Sequence, residues 1–167
     1  MTSQTPAVQD YYPSDFAHCY GCGRLNPQGL HIKSAWEGDE VVARFRPEPY
    51  HVAVPGFVYG GLLASLVDCH AMATAAATAE REAGRAIGQG EAPRYVTASL
   101  SVDYLNPTPL GPELEIRARV RDFKKHRAIV EVAVWVQGTK TVQGEVVAVR
   151  IPGTMSGGGG AGAKPSP

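Results

Sequence analysis

The stretch VPGFVYGGLLASLVDCHAMATAAATAEREAGR, residues 54–85, carries the one long helical pattern in the chain and decides how the rest is read. A Tyr59-Gly60-Gly61 opening leads into an almost unbroken run of apolar and small residues. The run turns polar at Glu80, Arg81, Glu82 and Arg85, and Gly84 supplies a stop. A helix that is apolar nearly all round is a buried helix. One carboxylate, Asp68, stands inside it, and a carboxylate in such surroundings is costly unless it has a partner or a task. Asp68 is therefore the first candidate for function.

Outward from this helix the pattern changes to strands. Upstream, Leu30 to Trp36 and Glu40 to Arg46 alternate in polarity about a Glu37-Gly38-Asp39 turn and read as a β-hairpin. Pro47, Pro49 and Pro55 fix the loop EPYHVAVPGF, residues 48–57, which places His51 and Val54 just ahead of the helix, where they would line a pocket. Downstream, Val96, Ala98, Leu100, Val102 and Tyr104 alternate with Thr97, Ser99, Ser101 and Asp103 in a half-buried strand. Strands around Leu114–Arg121 and Val130–Val136 and from Thr141 to Ile151 follow, and their short links predict an antiparallel meander. The order is β-β-α-β-β-β-β, an α+β domain in which the helix lies across one concave face of a curved sheet. The domain runs over residues 16–152, with residues 1–15 as a flexible arm and the Gly-rich residues 153–167 as a disordered tail.

Sixteen basic residues balance sixteen acidic ones, which leaves no global field for nucleic acid or an anionic membrane. No segment is expected to span a membrane, and the N-terminus lacks the features of a signal peptide, so the expected compartment is the cytoplasm. Cys19, Cys22 and Cys69 form no obvious disulfide framework. Cys19 and Cys22 form a CxxC, but a structural zinc site takes four ligands and no second pair follows, so His18, His31 or a distant residue would have to complete it. The expectation is no metal, with the pair as a small buried cap on the first strand.

Three stretches carry a resemblance: CYGCGRLNPQGL before the first strand, GFVYGGLLASLVD at the helix start and YVTASLSVDYLNPTPLG after the helix. Across roughly Cys19 to Ile151 the chain resembles the hotdog-fold acyl-CoA thioesterases of the phenylacetate-pathway (PaaI-like) and human thioesterase-superfamily type. The resemblance implies hydrolysis of an acyl- or aryl-CoA thioester without metal or organic cofactor. By position, the Gly60 backbone N–H would polarise the thioester carbonyl, Asp68 would act as nucleophile or as general base on water, and Thr97 would help to position the carboxylate or the water. The family usually has His where this chain has Tyr59, and often Asn at Ala53. These two departures keep a second reading open, a non-catalytic or weakly active acyl-CoA-binding hotdog protein. A hotdog dehydratase is a third reading, weakened because its chemistry leans on a His near the acid and His70 lies on another helix face.

The chemistry of the residues supports the first roles independently. A helix N-terminus offers unpaired N–H groups and the positive end of a dipole to a developing oxyanion. Gly60 and Gly61 let a substrate come close to that backbone. Desolvation in an apolar helix would raise the pKa of Asp68 and make it a better base. Eight residues of helix rise about 12 Å, too far for Gly60 and Asp68 of one chain to meet over one carbonyl carbon. A shared site follows, and with it a homodimer, or a tetramer of two dimers. Lys124 and Arg127, in a basic turn, are candidates for the phosphates of CoA, with Arg81, Arg85 and Arg94 as comparable alternatives.

Overall fold

The computed structural model describes residues 5–152, so the Gly-rich residues 153–167 lie outside it. Six strands form one antiparallel sheet: β1 (Ser34–Glu37), β2 (Glu40–Phe45), β3 (Tyr95–Tyr104), β4 (Leu114–Lys124), β5 (Arg127–Val136) and β6 (Thr139–Arg150). Their spatial order is β1-β2-β4-β5-β6-β3, which leaves β1 and β3 at the edges. The helix α1 (Gly60–Glu82) packs against all six strands. This is the architecture expected of a hotdog fold.

The register shows how the sheet meets the helix. Directly paired residues share a face, and one row across the sheet reads Ala43, Ile116, Val134, Val142 and Tyr104; the next reads Val41, Ala118, Val132, Gly144 and Val102. Nearly all of these are buried and meet Leu62, Leu63, Leu66, Val67 and the alanines of α1. Gly144 is needed in that row, because a Cβ there would lie 2.7 Å from Val67 Cγ1. Past its last turn the helix closes on Gly84, at φ +71°, with Arg85 N–H donating to Glu80 O (2.9 Å) and Gly84 N–H to Arg81 O (3.0 Å).

Four expectations are corrected. The stretch 5–15 is not a loose arm: Val8–Tyr11 and Ser14–Phe16 form 3-10 turns, and Val8, Gln9 and Tyr12 are buried. Ala7, Val8 and Tyr12 have no period in this polar segment, yet their burial pins it. β1 begins at Ser34, not Leu30, because Leu30 and Ile32 donate their N–H groups to Tyr20 O and Gly21 O and His31 sits at φ +54°. The helix α1 is, contrary to expectation, long and apolar enough to cross a membrane, but 78% of its most apolar window is buried inside the protein, as befits a core helix. The fourth correction concerns β3. A bulge between Thr97 and Ser99 breaks its alternation, so Thr97 shares the helix-facing side with Leu100, Val102 and Tyr104. The strand is also more open than half-buried, with Val96, Leu100 and Tyr104 all at least 40% exposed.

Candidate active site

Asp68 and Thr97 meet. The Thr97 hydroxyl donates to Asp68 Oδ1 from β3 across to α1. The bulge makes this possible, since strict period-two geometry would have pointed Thr97 away from the helix. Asp68 is half-buried, not enclosed, and Thr97 is exposed, so in a single chain the desolvation expected around the carboxylate is incomplete. Among the described residues the Thr97 hydroxyl is the one hydrogen-bonding partner of Asp68, which leaves lone pairs on both oxygens for a water or a substrate.

The helix start is built differently. Leu62 and Leu63 donate the first helical N–H groups, both to Tyr59 O, at 3.1 and 3.3 Å, and among the described residues the N–H groups of Gly60 and Gly61 have no acceptor. Tyr59 is the N-cap residue and makes no side-chain cap. Its exposed ring folds back over Gly61, where a Cβ would lie 2.4 Å from it, so a larger residue at 61 would push the Tyr59 ring out of this position. Gly60 is less constrained, since a Cβ there would be 3.4 Å from the Tyr104 ring. Tyr104 is the residue that sequence reading missed: its hydroxyl donates to Gly60 O at 2.7 Å and ties β3 to the helix start. The signal lay in its place at the far end of the strand that holds Thr97, which makes β3 and α1 run side by side from Gly60 to Asp68.

The structure places His51 and Val54 on the loop that leads into the helix start. His51 Nδ1 accepts the Glu48 N–H (2.9 Å) and its carbonyl receives the Tyr59 N–H (2.9 Å), so His51 braces the loop that leads into the helix. Val54 is exposed at the tip of that loop, which two further bonds, Val58 N–H to Thr108 O (2.9 Å) and Leu110 N–H to Gly56 O (2.9 Å), tie to the segment after β3.

Lys124 and Arg127 are opposite each other at the β4–β5 hairpin, exposed, at the Thr97 end of the sheet. Their neighbours Phe123 and Ala128 face the core, so both basic residues stand on the outer face, away from Asp68 of their own chain. The other basic candidates are engaged: Arg81 stacks on Trp36 at 3.3 Å, Arg85 grips Glu80 through two bonds of 3.0 and 2.7 Å, and Arg94 lies against Tyr12. A concavity of about 1130 Å³ lies on the outer face of the sheet, lined by Glu40, Glu115, Arg117 and Trp135 among others, and includes none of Asp68, Thr97 or Gly60. The residues with the chemistry therefore lie along an open seam between α1 and β3.

Residues 55–143 match the sequence profile described as the Thioesterase superfamily, just over half of the chain and including all of α1 and β3. The chain belongs to the thioesterase superfamily. A thioesterase superfamily protein from Shewanella loihica is 40% identical and superposes with a TM-score of 0.63, covering 83% of this chain and 97% of that one. The E. coli PaaI protein of the phenylacetic acid degradation operon, 18% identical, superposes with a TM-score of 0.59 over 74% of this chain and 82% of its own, a likeness of fold. A Xenopus laevis protein named acyl-coenzyme A thioesterase THEM4 is 34% identical over 84 residues, which is 50% of this chain and 32% of that protein. The chain thus spans about a third of the length of that relative. Within the thioesterase superfamily the fold is the hotdog fold, and the match places the open helix start and the Asp68–Thr97 pair inside the shared region.

Proposed function

We propose that this thioesterase-superfamily protein hydrolyses an acyl- or aryl-CoA thioester to the free acid and CoA, at two equivalent sites shared between the chains of a homodimer. The observation that carries this reading is the separation along one seam of two half-sites: free Gly60 and Gly61 N–H groups at one end, and the Thr97-bound Asp68 carboxylate at the other. Neither half is sufficient alone, and about 12 Å of helix lies between them.

The seam also supplies a means of pairing. β3 is an edge strand ten residues long with Val96, Leu100 and Tyr104 exposed, and such an edge is a template for another strand. Antiparallel pairing of β3 with β3 of a second chain would set the Gly60 end of each helix beside the Asp68 end of the other. It would also cover Asp68 and supply the desolvation that one chain lacks.

In the reaction, the thioester carbonyl oxygen receives the Gly60 N–H and takes up negative charge as water attacks the carbonyl carbon. Asp68, held by Thr97, accepts the proton of that water, and collapse of the tetrahedral species expels the CoA thiolate, which is then protonated. Direct attack by Asp68 would give an anhydride that water opens to the same products. Lys124, which pairs with Asp122 at 3.8 Å, and Arg127, of one chain or the other, are the cations offered to the CoA phosphates. Three free thiols suit a reducing compartment such as the cytoplasm.

The test is thiol release from a panel of acyl- and aryl-CoA esters, coupled to a mixing experiment. Gly60→Pro removes the key N–H while keeping the helix, since Pro is favoured at the first helical position and Tyr59 already has an extended ψ of 127°. Gly60→Pro and Asp68→Asn should each be inactive; after subunit exchange, half the dimers are mixed and hold one intact site of two, so about a quarter of wild-type activity returns. Exchange without recovery would end the shared-site reading, and a panel without turnover would end the hydrolase reading.

A further inference from the structure

We propose that Cys19, Cys22 and Cys69 form a binding site for one thiophilic divalent cation, with zinc as the ion that fits best. In sequence, Cys19 and Cys22 are two ligands without partners. The fold brings Cys69 of α1 to them. All three sulfurs lie within 4.8 Å of one another, and Cys19 Sγ and Cys69 Sγ are 3.7 Å apart. Sulfurs bound to one tetrahedral zinc at Zn–S distances of about 2.3 Å are themselves about 3.8 Å apart. The histidines that might have completed the pair are elsewhere: His18 is exposed and the His31 ring is bonded to Asn26 O.

The loop is shaped for this before any ion arrives. Gly23 N–H closes a turn on Cys19 O at 2.7 Å, which folds the chain back between the two cysteines. Gly21 sits directly on the helix thiol: a Cβ at that position would lie 2.2 Å from Cys69 Sγ. Glycine there is what lets the loop bring its two sulfurs up to the third.

Charge gives the second argument. The mostly buried Arg94 guanidinium is 4.0 Å from Cys22 Sγ and stacks over the Tyr12 ring at 4.3 Å. Its Nη1 is buried without a hydrogen-bonding partner, and no carboxylate pairs with it among the described residues. A buried cation needs a counter-charge. Three neutral thiols do not provide one, whereas three thiolates around a divalent cation carry a net charge of −1 beside the +1 of Arg94. On binding, the thiol protons leave to solvent, and the fourth position falls to water or an exogenous ligand. The ion would fasten the 19–22 loop to α1 at the residue after Asp68.

The experiment uses the full-length, reduced protein, handled without oxygen and stripped of metal. Cobalt(II) titration should give an intense thiolate-to-cobalt charge-transfer band that saturates at one ion per chain and is removed by one equivalent of zinc. Zinc should slow alkylation of the three cysteines by at least about tenfold. Cys22→Ser and Cys69→Ala, checked for native circular dichroism, should lose the band. A folded, reduced wild-type protein that gives no such band, or whose thiols alkylate equally fast with and without zinc, overturns the proposal without reference to any variant.

Discussion

Asp68 and His70 stand two residues apart on the same helix and live in opposite surroundings. His70 is fully buried, and every polar atom around it is used: its ring bonds to Val41 O through Nε2 (3.0 Å) and to the Ser34 hydroxyl through Nδ1 (2.8 Å). Ser34 in turn exchanges two bonds of 2.9 Å with the buried Gln9 side chain. Because a carbonyl can only accept, Nε2 carries the proton and Nδ1 accepts from Ser34. Burial lowers the His70 pKa to about 4, so the ring is neutral near pH 7. Asp68, rotated about 200° away around the helix, is half-buried with one partner, Thr97, and spare lone pairs. A closed polar network joins the N-terminal turn, β1, β2 and α1, and a carboxylate left open can take a proton from water. Of the carboxylate and the imidazole in one apolar run, the imidazole secures the fold and the carboxylate is free to react.

The sharpest way to break this contrast is to exchange the effects. Asp68→Asn keeps shape and one hydrogen bond while removing the base, and should lower kcat for thioester hydrolysis by at least about 100-fold, with a Tm within a few degrees of wild type. Near-wild-type turnover of a CoA ester by Asp68→Asn would take the carboxylate out of the mechanism. His70→Phe should do the reverse. It strands the Ser34 hydroxyl and Val41 O in the core and should cost on the order of 2 to 4 kcal/mol in urea unfolding, while the folded fraction keeps its kcat.

Acid sharpens the same contrast. The unfolded chain protonates His70 near pH 6.5, the folded chain only near pH 4. Between these values the unfolded state binds more protons, so the contribution of His70 is fully present above about pH 6.5 and falls away as the pH drops towards 4. The loss amounts to roughly 3 kcal/mol at about 1.36 kcal/mol per unit. The stability gap between wild type and His70→Phe should therefore narrow from pH 7 to pH 4.5. A gap that stays constant over that range would mean that His70 titrates alike in the folded and unfolded chain and that its burial does not oppose protonation.

The long-range order of this fold was legible because it rests on period and length. Residues 54–85 admit one buried helix, and the valines of β5 and β6 admit little but strands over its face. Three features were not legible, each for a physical reason. The bulge at Ala98 inserts a residue without altering polarity, so the alternation in β3 looked unbroken and put Thr97 on the wrong face. The N-terminal turns are held by Val8, Gln9 and Tyr12 through contacts with β1 and α1, and scattered anchors have no period. Cys69 joins Cys19 and Cys22 across 50 residues of chain, a proximity that no local spacing encodes. Of the candidate site, the motif points to Asp68, Thr97, Gly60 and Gly61, while Tyr104, which bonds to Gly60 O across 44 positions, joins them only through the sheet.

The smallest expected effect bears on that bulge. If its purpose is to turn the Thr97 hydroxyl towards Asp68, the benefit lies in the orientation of a carboxylate that remains partly solvated, and one such hydrogen bond is worth about 1 kcal/mol. Thr97→Val keeps the β-branched shape on a strand that favours it and removes the donor. It should reduce kcat about threefold to tenfold and leave KM and Tm nearly unchanged. Thr97→Ser, which returns the hydroxyl on a smaller side chain, should recover most of the loss. A Thr97→Val protein with wild-type kcat beside a defective Thr97→Ser would mean that the methyl group, not the hydroxyl, matters at position 97. The bulge would then serve the packing of β3 on α1, and Asp68 would hold its orientation without help from the strand.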